Sequence, residues 1–335
     1  MSGDGPDRKL RVALVGGGSM GRHHARVVAE SPLTELASIV DPAPEAVEVA
    51  EMRNAPLLGS LDELLAEPPG LAIVAVPTQA HAEVASRLLE AGVPVLVEKP
   101  IAGTVEEAEQ LIALARERGV VLAVGHVERF NPAVRALRDK LRTDDLGRVF
   151  QVHTRRLSPF PGRVGDTGVA FDLATHDLDL MCELAGTPVR LSAESDRKAH
   201  RSHEDLLAAI LRFENGVIGL LEVNWLTPTK VRQLTVTGER GTFMVDYLNQ
   251  HLTLYENAHE SESWSTLDIF DGVTEGNVIR FAIPRVEPLR AQLEAVVGAV
   301  RGEDVELVTG EAGLRALRLA LAVVEAGATG ASIRL

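Results

Sequence analysis

The run Val95–Gly103 reads VLVEKPIAG: an apolar segment that stops abruptly at Glu98, Lys99 and Pro100. Charged side chains at the mouth of a buried strand call for a function. A lysine cation beside a substrate oxygen stabilises developing alkoxide character and can pass a proton on. Further along, FDLATHDLDLM carries Asp172 and His176 at i and i+4, on one face of a helix. A histidine titrating near neutrality suits the base that takes a hydroxyl proton, and a nearby carboxylate suits its orientation. Together the three residue types suit interconversion of an alcohol and a ketone.

The Asp172–His176 pair has other readings. Such spacing can simply stabilise a helix, and it can belong to a metal site, but no third ligand stands at a suitable interval, so no metal is expected. His176-Asp177 also matches the dipeptide of metal phosphohydrolases, which need further histidines and an all-helical setting. The chemistry gains a hydride acceptor from the start of the chain. There Gly16, Gly18, Ser19, Met20 and Gly21 lie in GGGSMG, a G-x-G-x-x-G turn between a strand and a helix. Glycines let the backbone approach a pyrophosphate seated on the helix N-terminus. Asp41 closes the next strand, placed to accept hydrogen bonds from ribose hydroxyls and to repel a 2′-phosphate. These residues predict NAD rather than NADP; Asp41 also reads as a turn residue before Pro42. Pro77, Thr78 and His81 follow another strand and share the edge with Glu98 and Lys99, although His81 equally suits a solvated helix start.

These residues need a scaffold. Apolar strands at 10–15, 36–40, 71–76, 95–97 and 121–124, with a weak one near Leu57, alternate with amphipathic helices. That pattern predicts a parallel, doubly wound Rossmann sheet over residues 1–125. From His126 the alternation stops. The helix PAVRALRDKL and the strand VFQVHTRR precede a loop and a helix at about 170–184. Strand-like runs follow, two of them joined at Asn215-Gly216, a tight-hairpin signal. Residues 126–335 are therefore expected to form an α+β domain with a large, mostly antiparallel open sheet. Two helices near the end should pack back onto the protein. The stretch NAHESESWS reads as an exposed loop. VIGLLEVNW carries apolar residues on both faces while helices are too few to cover both, which predicts a homo-oligomer.

Composition narrows the partners. The 335 residues, 45% of them apolar and 24% charged, suit a globular chain of two domains. A formal charge of −14 argues against nucleic acid or an anionic membrane surface as a partner. The one cysteine, Cys182, excludes a disulfide framework. The polar N-terminus lacks the apolar core of a signal peptide, so a cytoplasmic protein is expected.

Taken together, VALVGGGSMGRHHARV, VEKPIAGTVEEAEQL, GHVERFNPAV, FDLATHDLDL and GLRALRLALAVVEAGATG resemble the Gfo/Idh/MocA oxidoreductase family over nearly the whole chain. The resemblance implies an NAD(P)-dependent enzyme acting on a sugar, inositol or nucleotide sugar, with a C-terminal sheet that builds dimers or tetramers. It implies Lys99, Asp172 and His176 as the catalytic residues and substrate contacts, with Glu98 at the cofactor edge. It further implies a cis Lys99-Pro100 bond that sets the lysine's direction, and Arg129 on the nicotinamide side. The segment RRLSPFPGRVGDTGVAFDLATHD is similar to members that oxidise the 3-hydroxyl of UDP-N-acetylglucosamine to a ketone. Arg155, Arg156 and Arg163 would then suit a diphosphate by bidentate contact, or they are merely solvated. An inositol or free-sugar dehydrogenase, an NAD-dependent glycosidase and a non-catalytic NAD-binding regulator are the other classes the resemblance leaves open.

Overall fold

The computed structural model describes residues 8–44, 46–161, 167–199, 202–258 and 275–335. Arg163 and most of NAHESESWS lie outside them. Two compact units emerge, residues 1–127 with 287–318 and residues 128–286 with 319–335.

In the first unit the elements alternate: β1 (Leu10–Val15), α1 (Ser19–Glu30), β2 (Thr34–Val40), α2 (Ala46–Arg53), β3 (Leu57–Leu58), α3 (Leu61–Ala66), β4 (Leu71–Val74), α4 (His81–Glu90), β5 (Val95–Val97), α5 (Val105–Arg118) and β6 (Leu122–Val124). All six strands pair in parallel in the order β3-β2-β1-β4-β5-β6. The order reverses between β1 and β4, and in such sheets ligands sit beyond the carboxyl ends of the strands at that point. Every residue of β4 and β5 is buried, the signature of strands covered on both faces. Local sequence sets the helix limits. α5 starts at a reciprocal capping box of Thr104 and Glu107 and ends at Gly119 in the left-handed conformation.

The second unit holds α6 (Pro132–Arg142), β7 (Val149–Pro159), α7 (Thr175–Ala185), β8 (Pro188–Asp196), β9 (Leu206–Phe213), β10 (Ile218–Asn224), β11 (Leu226–Gly238), β12 (Gly241–Asp246), β13 (His251–Asn257) and β14 (Glu275–Arg280). Its nine-stranded sheet runs β14-β13-β12-β11-β7-β10-β9-β8-β15, where β15 is Ile333–Arg334. Every neighbouring pair is antiparallel except β7 and β10. The Asn215-Gly216 hairpin joins β9 to β10, as its sequence predicts. On one face Val152, Leu211, Leu221, Val236 and Phe243 are buried in the core with Leu178 and Met181 of α7. On the other, Ile210, Tyr255 and Val278 are exposed.

After residue 286 the chain returns to the first unit through α8 (Pro288–Val300), whose Leu289, Leu293 and Val297 join the core of β1 and α1. The single boundary expected after residue 125 does not include this return. α9 (Gly310–Thr329) gives its residues to Arg318 to the first unit and the rest to the second. No helix of the described residues is long and apolar enough to cross a membrane.

Candidate active site

The glycine turn is built as the spacing requires. Gly16 has a φ of 101°, and a methyl on Gly21 would lie 2.0 Å from the Gly16 carbonyl oxygen. Gly18 caps α1 with open space at its Cα, and no side chain caps the helix. The first-turn N–H groups, beside exposed Ser19 and Met20, are therefore free of a side-chain cap, as a pyrophosphate-binding helix end requires. Asp41 locks this turn: its Oδ2 accepts from Gly17 N at 2.6 Å and its Oδ1 from Ala43 N at 2.8 Å. The ribose and turn readings of Asp41 are compatible, since each carboxylate oxygen keeps a further lone pair.

Pro77 is exposed and Thr78 half-buried where the chain leaves β4. His81 differs from a solvated helix start: it is 1% exposed. Its Nδ1 lies 2.7 Å from the Pro100 carbonyl and its Nε2 3.0 Å from the Val76 carbonyl. Burial is the main influence on it and holds its pKa below the usual histidine value. His81 braces the Lys99-Pro100 segment, whose peptide bond is cis, against the end of β4.

Lys99 is half-buried just past β5, while Glu98 is buried beneath it. Glu98 is bound by a residue the sequence reading passed over. His24 Nε2 stands 2.7 Å from Glu98 Oε1. The signal was available: Gly21, His24, Ala25 and Val28 recur at i, i+3, i+4 and i+7, the buried face of α1. Burial alone would raise the Glu98 carboxyl, but the His24 hydrogen bond and the charges of His24 and Lys99 outweigh it and hold it below the ordinary carboxylate value.

In the second unit Asp172 and His176 are both half-buried. The helix is not regular there. Residues Ala170–Ala174 form a π turn, and only from Thr175 does α7 begin. The Thr175 hydroxyl donates to the Phe171 carbonyl at 2.9 Å, and the Thr175 N–H donates one residue further back, to the Ala170 carbonyl. Such wide turns inside helices are frequent at functional sites.

Two of the arginines are held by acids. Arg129, placed by resemblance near the nicotinamide, binds Asp179 through Nε at 2.6 Å and Nη2 at 2.5 Å, and Glu183 through Nη1 at 2.7 Å. Arg156 is 4% exposed and grips Asp177 at 2.7 and 3.1 Å and Glu128 at 2.9 Å. Burial would lower its pKa, yet these two carboxylates raise it, so it stays charged and engaged within the protein. Arg156, read in the sequence as a candidate diphosphate partner, has its fork occupied by these acids. Asp177 and Asp179 are buried acids in THDLDL that require cations beside them. Arg155 is half-buried, paired with Glu222 at 2.8 Å. Arg232, unread in the sequence, donates to the Leu157 and Val231 carbonyls. Burial and the like charge of Arg156 pull Arg232 down to about 10, against the charges of Asp177, Glu128 and Asp172. No group of three or more metal-ligating side chains occurs among the described residues.

Residues 10–126 match the oxidoreductase family described by its NAD-binding Rossmann fold, and residues 138–335 match the C-terminal alpha/beta domain of the same family. UDP-N-acetylglucosamine 3-dehydrogenase of Acidithiobacillus ferrooxidans is 33% identical over 94% of this chain and 96% of its own. The solved structure of that enzyme superposes with a TM-score of 0.83 over 96% of this chain and 99% of its own. The WlbA dehydrogenase of Bordetella pertussis, solved with NADH and UDP-GlcNAcA, has a TM-score of 0.80 at 26% identity, covering 98% of this chain and 99% of its own. A myo-inositol dehydrogenase of Streptomyces leeuwenhoekii is 32% identical over 69% of this chain and 75% of its own.

Proposed function

The chain belongs to the Gfo/Idh/MocA oxidoreductase family, with its NAD-binding Rossmann fold, and on that premise we propose that it oxidises the 3-hydroxyl of UDP-N-acetylglucosamine to a 3-keto sugar. Lys99 carries the reading, a half-buried cation on the strand-end edge that holds the glycine turn. NAD held there would supply the acceptor for the hydride of the carbinol carbon. The glycine turn and the α1 N-terminus hold the pyrophosphate, and Asp41 accepts from the adenosine ribose hydroxyls. Lys99 stabilises the alkoxide that develops as hydride departs. His176 receives the hydroxyl proton, oriented by Asp172 one turn earlier. The nucleotide-sugar substrate is supported by the similarity along 94% of the chain to a UDP-N-acetylglucosamine 3-dehydrogenase.

With Arg156 engaged by acids, the diphosphate falls to other groups, of which Arg155 and Arg163 remain from the sequence reading. The second reading, an inositol or free-sugar dehydrogenase, is favoured by the inositol enzyme among the relatives. Incubating the protein with NAD and UDP-N-acetylglucosamine, other UDP-sugars, dTDP-sugars or myo-inositol, and following NADH formation, separates the two. Turnover confined to myo-inositol or free sugars would overturn the nucleotide-sugar assignment.

We also infer a homo-oligomer built through the outer face of the second sheet. Register places Ile210, Tyr255 and Val278 on that face, 57%, 36% and 53% exposed. A dimer or tetramer is expected in sedimentation at micromolar concentration; a monomer there would refute it.

A further inference from the structure

Glu98 is 7% exposed and His24 2% exposed, so the carboxylate and ring that meet at 2.7 Å are shielded from water. The two oxygens of Glu98 have different tasks. Oε1 takes His24 Nε2, and Oε2 accepts the backbone N–H of Lys99 at 3.2 Å. The end of β6 closes the remaining side, where a methyl on Gly125 would lie 2.8 Å from Oε2. His24 thus sits on the helix whose first turn faces the dinucleotide, and it reaches the carboxylate that holds the backbone of Lys99.

We propose that His24 is a positioning residue. It holds Glu98 in the one orientation that presents Oε2 to the Lys99 amide, and so ties the direction of Lys99 to helix α1. A buried carboxylate with a single strong donor has few alternative placements while that donor stands. Without it, the carboxyl either takes up a proton or turns toward another donor, and the Lys99 amide loses its acceptor. The inference rests on the reading of Lys99 given above, and it goes beyond it by assigning the support of that residue to helix α1, through a contact 74 positions apart in the chain.

The test uses the full chain carrying His24→Leu, His24→Gln or Lys99→Met. On each preparation are measured turnover of UDP-N-acetylglucosamine with NAD, NAD affinity and melting temperature. The rate at which acetic anhydride acetylates the Lys99 amine, relative to exposed Lys230, is read by mass spectrometry and needs no substrate. His24→Leu is expected to lower kcat by roughly tenfold or more, with KM and NAD affinity within about threefold, because a misdirected group acts on the reaction more than on binding. Acetylation of Lys99 should change by about threefold or more in the same variant, and His24→Gln, whose amide still donates to Glu98, should recover most of both. Wild-type kcat and labelling in His24→Leu would overturn the proposal. So would a lower melting temperature with unchanged kcat per folded molecule, or a His24→Gln as impaired as His24→Leu. If His24→Leu does not fold, His24→Asn carries the same test, its amide too short to reach Glu98. Normal turnover in Lys99→Met would defeat the reading of Lys99 instead, while the labelling comparison still decides whether His24 governs that lysine.

Discussion

Two buried charge clusters, one in each unit, are made of similar parts and end differently. In the first, His24 and Glu98 form a pair whose carboxylate still directs one oxygen to the backbone of Lys99, a residue that is itself half-buried. In the second, Arg156 lies among Asp177 and Glu128, and Arg129 between Asp179 and Glu183. There every strong contact turns inward. A guanidinium presents a planar fork, and a bidentate carboxylate plus a second acid occupies most of it. An imidazole facing a carboxylate leaves the second carboxylate oxygen available. The two clusters therefore differ in what the carboxylate has left to offer, and in the first that is an acceptor for the backbone of Lys99.

The largest effect should come from opening the closed cluster. Arg156→Met strands Asp177 and Glu128 without their cation and should cost about 3–5 kcal/mol of folding stability, read from denaturant unfolding. Were Arg156 instead a phosphate ligand, stability would hold and the substrate KM would rise. Lys99→Met should do the opposite. Melting temperature and NAD affinity should stay near wild type, while turnover falls by about two orders of magnitude, roughly 2.7 kcal/mol of transition-state stabilisation. Near-normal turnover would erase the functional side of the comparison. Asp41→Ala sharpens the cofactor end. Removing the carboxylate should shift the ratio of NADP to NAD efficiency by about tenfold toward NADP, measured as kcat/KM with each cofactor. A native protein that already preferred NADP would contradict the role given to Asp41. The smallest effect belongs to the half-buried pair of Arg155 and Glu222. Arg155→Ala, which loses only this partly solvated contact, should change stability by about 0.5 kcal/mol or less. A marked rise in KM for UDP-N-acetylglucosamine with unchanged stability would show that Arg155 meets the diphosphate.

How far each region could be read before its structure was known follows the same division. The glycine turn and Asp41 were legible because their task is local: Gly16 and Gly21 answer to backbone geometry within a few residues. The alternation of strands and helices likewise predicted the parallel sheet, and the hairpin at Asn215-Gly216 predicted the antiparallel join. His24 was hidden by its type, a histidine in a helical pattern where apolar residues usually mark the inner face. The partners of the arginines were not legible because they lie far along the chain, Arg129 and Asp179 50 positions apart.

By itself, then, the sequence determined the class of fold and the glycine turn, since these depend on periodicity and short spacing, and it singled out Lys99, Asp172 and His176 as candidates. Tertiary structure alone decided which charges neutralise one another. It took Arg129 and Arg156 into the interior, braced Pro100 with His81, and widened the turn that carries Asp172. Burial is what makes the difference: a charge taken out of water must find its partner in space, and distance along the chain has no bearing on which partner that is.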